Sequence, residues 1–343
     1  VPYEKIVVGT DGSPTATVAA RVAIELARAA GSALVVLSAY TDGKTRQNAE
    51  AAVAGARELA EAAGVLPQEE VVEGDPAAVV TEIADRGDAD LVVVGDVGLG
   101  GPKRFRLGGI ADRISHAMPC DLLIVRTSER DPAKAPGVYE SVLIGTDGSP
   151  TADRAARVGS EFASLLGARV ALVHVGDEAM GRIVLRDTAQ RLGGRDVATR
   201  TVEGDPGDRI VELAGSDAHD LVVVGNKGMS GTLRFLLGAV PDKVSHLAPC
   251  DVLVVNTVGR SLHDLEPGEG AIVVENRKKL AAYRDRTGEL VLLSPKCKHM
   301  GCTVGWNHRA TTWDCPCHGS RYDATGKVIQ GPARRDLDAI ELD

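Results

Sequence analysis

Over residues 1 to about 260, short unbroken apolar runs alternate with alanine-rich stretches. Ile6-Val7-Val8, Leu34 to Ser38 and Leu91-Val92-Val93-Val94 lack the polar alternation of a half-solvated sheet. They therefore read as strands of a parallel sheet covered on both faces. Between the first two, Thr15 to Ala30 places apolar residues at helical spacing and runs into Gly31, a residue suited to a helix C-cap. Strand–helix alternation of this kind predicts a doubly wound α/β fold. The pattern changes near Gly270. Gly270 to Glu275, Leu280 to Arg284 and Glu289 to Leu293 read as short strands that open a small all-β domain.

The α/β pattern is written twice. Ile6-Val7-Val8-Gly9-Thr10-Asp11-Gly12-Ser13-Pro14-Thr15 returns as Val142-Leu143-Ile144-Gly145-Thr146-Asp147-Gly148-Ser149-Pro150-Thr151. Leu91-Val92-Val93-Val94-Gly95 returns as Leu221-Val222-Val223-Val224-Gly225, and Pro119-Cys120-Asp121 as Pro249-Cys250-Asp251. A period near 130 residues is too long for a solenoid, so this is domain duplication. Polar and Pro/Gly-containing stretches near 128–138 and 257–270 read as linkers. The expected domains are 1–130, 137–258 and 268–343.

Composition narrows the function classes. A formal net charge of −9 gives no basic footprint for nucleic acid or an anionic membrane surface. The longest apolar runs have strand length, far short of the ~20 residues of a membrane span. No signal-like segment opens the chain at Val1-Pro2-Tyr3-Glu4-Lys5, so a cytoplasmic location is expected, a cleaved export signal being the alternative.

The densest chemistry lies in Cys297-Lys298-His299-Met300-Gly301-Cys302 and Cys315-Pro316-Cys317-His318-Gly319-Ser320-Arg321-Tyr322. Four of the six cysteines sit there, spaced C-x-H, then fifteen residues, then C-x-x-H. A mixed Cys2His2 set suits zinc or a [2Fe–2S] centre in which two histidines replace two cysteines on one iron. Zinc fingers pair C-x2–4-C with H-x3–5-H, whereas these loops interleave the two residue types. C-x-H-x-G-C followed by C-P-C-H-G-S-x-Y resembles the Rieske iron–sulfur proteins of cytochrome bc complexes and arsenite oxidase, over the chain from Gly270 onward. The resemblance implies that Cys297 and Cys315 bind one iron, that His299 and His318 bind the other, and that Cys302 and Cys317 form a disulfide. It also implies that Gly331-Pro332-Ala333 closes over the cluster, and that the hydroxyls of Ser320 and Tyr322 raise its potential. With both hydroxyls present, the potential is expected in the upper half of the roughly −150 to +300 mV Rieske range. Lys298 departs from the family's usual small hydroxyl residue; it reads as a potential-raising or docking cation, or as a solvated lysine at a loop tip.

Each α/β copy carries a glycine series after its fourth strand, Gly95-x2-Gly98-x9-Gly108-Gly109 and Gly225-x2-Gly228-x9-Gly238-Ala239. Glycines between a strand and a helix let backbone N–H groups approach phosphate oxygens. With the G-T-D-G-S opening, the series resembles the universal stress protein family, over both copies almost end to end. That resemblance implies adenine-nucleotide binding (ATP, ADP or AMP) with Asp11 and Asp147 against the adenosine. Its ATP-binding members place Ser or Thr where Gly109 and Ala239 stand. Each lost hydroxyl would weaken triphosphate binding by roughly 1–2 kcal/mol; Lys103, Arg104 and Arg106 compensate in the first loop, against Arg234 alone in the second. Empty tight turns are the alternative. Cys120 and Cys250 read as small buried hydrophobes, and His116 and His246 as packing or capping residues.

No catalytic residues are named from sequence. The expected function is one-electron transfer to or from a larger oxidoreductase, with the stress-protein domains as scaffold or nucleotide-responsive dock. They would pair internally as a pseudo-dimer, with further self-association left open. The alternative is a redox and nucleotide sensor, which requires cluster state and adenylate to bias the same two states. An oxygenase lacks its second loop type and its mononuclear iron ligands. An ATPase lacks a Walker A motif.

Overall fold

The computed structural model describes residues 3–341 apart from 86–88, 98–106, 128–138, 194–196, 227–236, 258–261, 263–264, 266, 276–277, 308–309 and 316–317. The chain divides into two compact units, Val1–Val258 and Gly259–Asp343.

The first unit is built on one sheet of ten strands. In chain order these are β1 (Lys5–Gly9), β2 (Ala33–Tyr40), β3 (Gln68–Glu73), β4 (Leu91–Gly95) and β5 (Asp121–Val125), then β6 (Ser141–Gly145), β7 (Arg169–Val175), β8 (Ala198–Val202), β9 (Leu221–Gly225) and β10 (Asp251–Val255). Their spatial order is β3-β2-β1-β4-β5-β10-β9-β6-β7-β8. Within each half every pairing is parallel. At the centre β5 meets β10 antiparallel, with Leu123 opposite Leu253. The two halves are thus related by a pseudo-dyad through that pair.

Helices α1 (Pro14–Ala30), α2 (Gly43–Ala62), α3 (Pro76–Asp85) and α4 (Gly109–Ala117) belong to the first half, and α5 (Pro150–Leu166), α6 (Glu178–Arg191), α7 (Pro206–Ser216) and α8 (Ala239–Leu247) to the second. Local sequence sets their ends. Ser13 and Ser149 cap α1 and α5 by accepting from Ala16 N and Ala152 N, and proline occupies the first turn of each. Gly31 and Gly167 end these helices in the left-handed region, at φ +68° and +71°. One core layer packs Val22, Ile24 and Phe162 against one face of the sheet; a second packs Val80, Ile114 and Val244 against the other.

Buried acids fasten the seam. Asp121 accepts from Tyr3 Oη at 2.9 Å and Asn256 N at 2.8 Å. Its counterpart Asp251 accepts from Tyr139 Oη at 2.5 Å and Arg126 N at 2.8 Å. The Arg126 side chain donates across the dyad to Ala248 O at 2.9 Å and Ser245 O at 2.6 Å.

The second unit is all-β and antiparallel. One sheet holds β11 (Glu269–Glu275), β12 (Lys278–Arg284) and β13 (Leu290–Leu293). The other runs in order through β14 (Gly305–Asn307), β15 (Thr312–Asp314), β16 (Arg321–Asp323) and β17 (Val328–Gln330). Its core contains Tyr283, Trp313 and Tyr322, and the Trp306 ring lies 5.1 Å from Tyr283 and 4.8 Å from Trp313. No helix among the described residues is long and apolar enough to cross a membrane.

Candidate functional site

Two loops in the second unit share one backbone design. Cys297 N donates to Cys302 O at 2.8 Å, and Gly301 N closes back on Cys297 O at 2.8 Å. Cys315 N donates to Ser320 O at 2.7 Å, and Gly319 N returns to Cys315 O at 3.1 Å. The closing residue sits at φ +74° in one loop and +72° in the other, which is why glycine stands there. Each loop therefore holds its first cysteine inward and carries its histidine outward. Cys297 and Cys315 are each only 3% exposed, while His299 and His318 are exposed. The loops bring the two imidazoles edge to face, with centroids 4.8 Å apart at 82°.

The sulfur side is lined by hydroxyls on and beside β16. Tyr322 Oη lies 3.2 Å from Cys297 Sγ and accepts from Lys298 N at 3.0 Å. Because the amide fills the acceptor side, the phenolic proton is left to point at sulfur. Ser320 Oγ, fully buried, accepts from Ala333 N at 3.2 Å. Burial pushes the Cys297 thiol up, but hydrogen bonds from Tyr322, the His299 backbone and Ser320 outweigh it and hold the thiol below its ordinary value. The Tyr322 hydroxyl is pushed up to about 12, by burial first and then by its bond to Cys297, so it stays a donor at neutral pH.

Other expectations for these loops meet the structure unevenly. Cys302 is half-buried and has no disulfide partner among the described residues; Cys317 lies outside them. Lys298 is not a free docking cation, because its ammonium pairs with Asp338. Gly331 sits at φ +99°, pressed so closely on the other loop that a Cβ there would lie 2.5 Å from Ser320 Cα. Gly331 and Pro332 are exposed and Ala333 is buried.

In the first unit, the glycine series falls where the strand order reverses. β1 lies between β2 and β4, and β6 between β7 and β9, so the crevices at the carboxyl ends of β1/β4 and β6/β9 are topological switch points. Gly95 and Gly225 end β4 and β9, and Gly108 and Gly238 precede α4 and α8 as N-caps without side-chain capping bonds. Gly109, at the first position of α4, has open space where a side chain would stand. The amides of Gly108 and Gly238 are engaged by Asp96 O and Asn226 O. Asp11 and Asp147 are exposed and brace the turns before α1 and α5 by accepting from Ser13 N and Ser149 N, each at 3.0 Å. Gly98, Gly228, Lys103, Arg104, Arg106 and Arg234 lie outside the described residues, as does the linker at 128–138.

His116 and His246, expected to pack or cap, turn their rings back along their own helices. Each Nδ1 lies 2.9 Å from the carbonyl four residues back, Asp112 O and Asp242 O. Sequence reasoning missed that the pseudo-dyad brings these two turns face to face. The D-x3-H spacing written in both copies, Asp112/His116 and Asp242/His246, was the available signal.

Comparison with known proteins agrees with this architecture. The model of the universal stress protein family matches residues 2–126 and 176–256, well over half of the chain. The chain belongs to the universal stress protein family. Universal stress protein Rv1636 of Mycobacterium tuberculosis is 35% identical over 142 residues, 35% of this chain and 97% of that protein. A universal stress protein from Archaeoglobus fulgidus superposes with a TM-score of 0.61 at 18% identity, covering 74% of this chain and 98% of that one, which shows the fold. This universal stress protein also carries a Rieske [2Fe–2S] domain, matched over residues 257–341. A Bacillus subtilis protein, YhfW, described as a Rieske 2Fe-2S iron–sulfur protein, is 50% identical over 80 residues, 23% of this chain and 16% of that protein. The chain thus spans less than a fifth of this relative, and 32% of the iron–sulfur subunit 1 of the Nostoc cytochrome b6-f complex. The Rieske domain implies electron transfer through a [2Fe–2S] cluster.

Proposed function

We propose that this chain is a one-electron carrier in which Cys297 and Cys315 hold one iron of the cluster through sulfur, and His299 and His318 hold the other through nitrogen. One observation carries the reading: the same two loops pair two buried cysteines with two exposed, adjoining imidazoles, and the Cys297 thiol is held below its ordinary value. That donor set fits a mixed sulfur and nitrogen centre. When bound, the cluster supplies reversible one-electron chemistry. The protein's own residues do the rest. Cys297 and Cys315 fix the buried end, Tyr322 and Ser320 direct protons at sulfur, and Gly331-Pro332-Ala333 keeps water from that end. The exposed imidazoles form the edge that meets a partner. We further propose the Cys302–Cys317 disulfide as the tie between the loops.

In this reading the stress-protein domains, at 1–130 and 137–258, form a scaffold or an adenine-nucleotide-responsive dock for a larger oxidoreductase, and the Rieske domain occupies 268–343. The glycine series at both switch points supports ATP, ADP or AMP as ligand. The same observation favours a second reading, a sensor coupling cluster state to adenylate occupancy. Voltammetry of the iron-loaded chain with and without each adenylate separates the two. Reversible one-electron cycling at an adenylate-independent potential supports the carrier. A potential that moves with adenylate supports the sensor, and failure to cycle reversibly refutes both.

A further inference from the structure

The pseudo-dyad creates a side-chain cluster that neither half possesses alone. Asp112 and His116 lie one turn apart on α4, and Asp242 and His246 one turn apart on α8. His116 Nε2 lies 3.5 Å from Asp242 Oδ1, and His246 Nε2 lies 3.3 Å from Asp112 Oδ1. Asp112, His116 and Asp242 each place a ligand-type atom within 4.8 Å of the others. All four side chains are half-buried.

The ring nitrogens are already sorted for metal binding. A carbonyl can only accept, so the 2.9 Å contacts to Asp112 O and Asp242 O place a proton on Nδ1 of both histidines. Nε2 of each ring then faces the opposite carboxylate. Metal-bound histidines are characteristically oriented in this way, the second nitrogen donating to a backbone carbonyl. The Nε2···Oδ1 spacings exceed the 2.7–2.9 Å of a charge-assisted hydrogen bond. They match instead the edge of a tetrahedron, about 3.3 Å when metal–ligand bonds are near 2.0–2.1 Å.

Charge agrees with the geometry. The neighbouring cations are drawn off to other partners, Arg113 to Asp75 and Lys243 to Asp205 and Asp208. The two carboxylates therefore balance one divalent ion. We propose that Asp112, His116 and Asp242 form a zinc site on the pseudo-dyad that leaves a fourth position to water and clamps α4 to α8, with His246 Nε2 abutting the Asp112 carboxylate.

The test uses the full chain with its cluster in place, confirmed by iron and sulfide content, so that Cys297 and Cys315 are not open to zinc. Calorimetric titration with zinc chloride is expected to show one site per chain. His116→Gln with His246→Gln should weaken it at least ~100-fold, since even outer-shell changes cost 10–100-fold. Anomalous difference maps across the zinc edge from soaked wild-type crystals should place a peak between α4 and α8, a reading independent of how the variant folds. Zinc binding unchanged in the double variant, or no peak at the dyad in zinc-soaked wild-type crystals, overturns the proposal.

Discussion

Replacing Tyr322 by phenylalanine isolates the effect of one hydroxyl on the cluster potential. The ring is fully buried and Oη lies 3.2 Å from Cys297 Sγ, so phenylalanine keeps the packing and removes only the donor. An added electron increases the negative charge on sulfur and strengthens the bond, so its loss penalises the reduced state and the potential falls. Hydrogen bonds to charged groups are worth about 1.5–3 kcal/mol net, and if roughly half to all of the smaller figure depends on oxidation state the difference is ~0.75–1.5 kcal/mol. At about 59 mV per tenfold for one electron, that is a drop of ~30–65 mV. The Lys298 amide also loses its acceptor. That cost, of order 1 kcal/mol, bears on loop stability in both redox states and is read separately by melting. Film voltammetry at matched iron content measures the midpoint. A shift smaller than ~10 mV, about 0.2 kcal/mol, or any rise, would refute the assignment of Tyr322 as a donor to the cluster sulfur.

Three further outcomes are expected. Gly331→Ala forces a Cβ to within 2.5 Å of Ser320 Cα and 2.7 Å of Gly319 O, at φ +99°. It should destabilise the Rieske domain by about 2 kcal/mol or more and lower the iron retained per chain after dialysis, whereas full iron at wild-type stability contradicts the loop contact. Arg126→Ala removes two donations to main-chain carbonyls across the dyad from a guanidinium only 12% exposed. A loss of about 3 kcal/mol in urea unfolding of the α/β unit is expected, and a change below ~0.5 kcal/mol would mean the seam does not depend on it. The third outcome is alkaline sensitivity. Burial, then the Asp251 charge, pushes the Cys250 thiol up to about 12, and burial with Asp121 raises Tyr3 well above its usual value. Both stay protonated in the native state while the unfolded chain releases its protons from about pH 9 to 10 upward. Stability should therefore be complete at neutral pH and fall as pH rises from about 9 toward 12. Cys250→Ala should recover about 1–2 kcal/mol of the loss between pH 8 and 10; an unchanged pH profile would rule the thiol out.

The fold was legible where side chains repeat a local pattern. Ile6-Val7-Val8 and its echo Val142-Leu143-Ile144 are buried on both faces and became central strands, and Ser13-Pro14 and Gly31 bound α1 as capping chemistry requires. The short strands β14 to β17 were harder, because three residues offer no period to detect. Cysteine and histidine spacing exposed the metal loops, but it did not reveal that Tyr322 Oη binds both Lys298 N and Cys297 Sγ. That contact depends on the pairing of β16 within its sheet. Least legible was the meeting of Asp112 with His246 across the pseudo-dyad. Neither helix carries that contact in its own sequence; the antiparallel β5·β10 pair creates it.

The seam is a dimer interface written into one polypeptide, so a linker and not protein concentration sets how often the halves meet. Dilution does not dissolve such a pair, and the halves are free to differ. They do differ at the dyad. Asp96 faces the Arg126 guanidinium at 3.8 Å, whereas the matching positions hold an amide pair, with Asn226 Nδ2 donating to Asn256 Oδ1 at 3.1 Å. Thr127 and Thr257 bind both versions alike, each donating its hydroxyl at 2.6 Å. One half has a charged couple where the other has a neutral one. A homodimer must accept every substitution twice, on both sides of its axis. Gene fusion lifts that restriction, and here one arginine can cross the axis without meeting its own image.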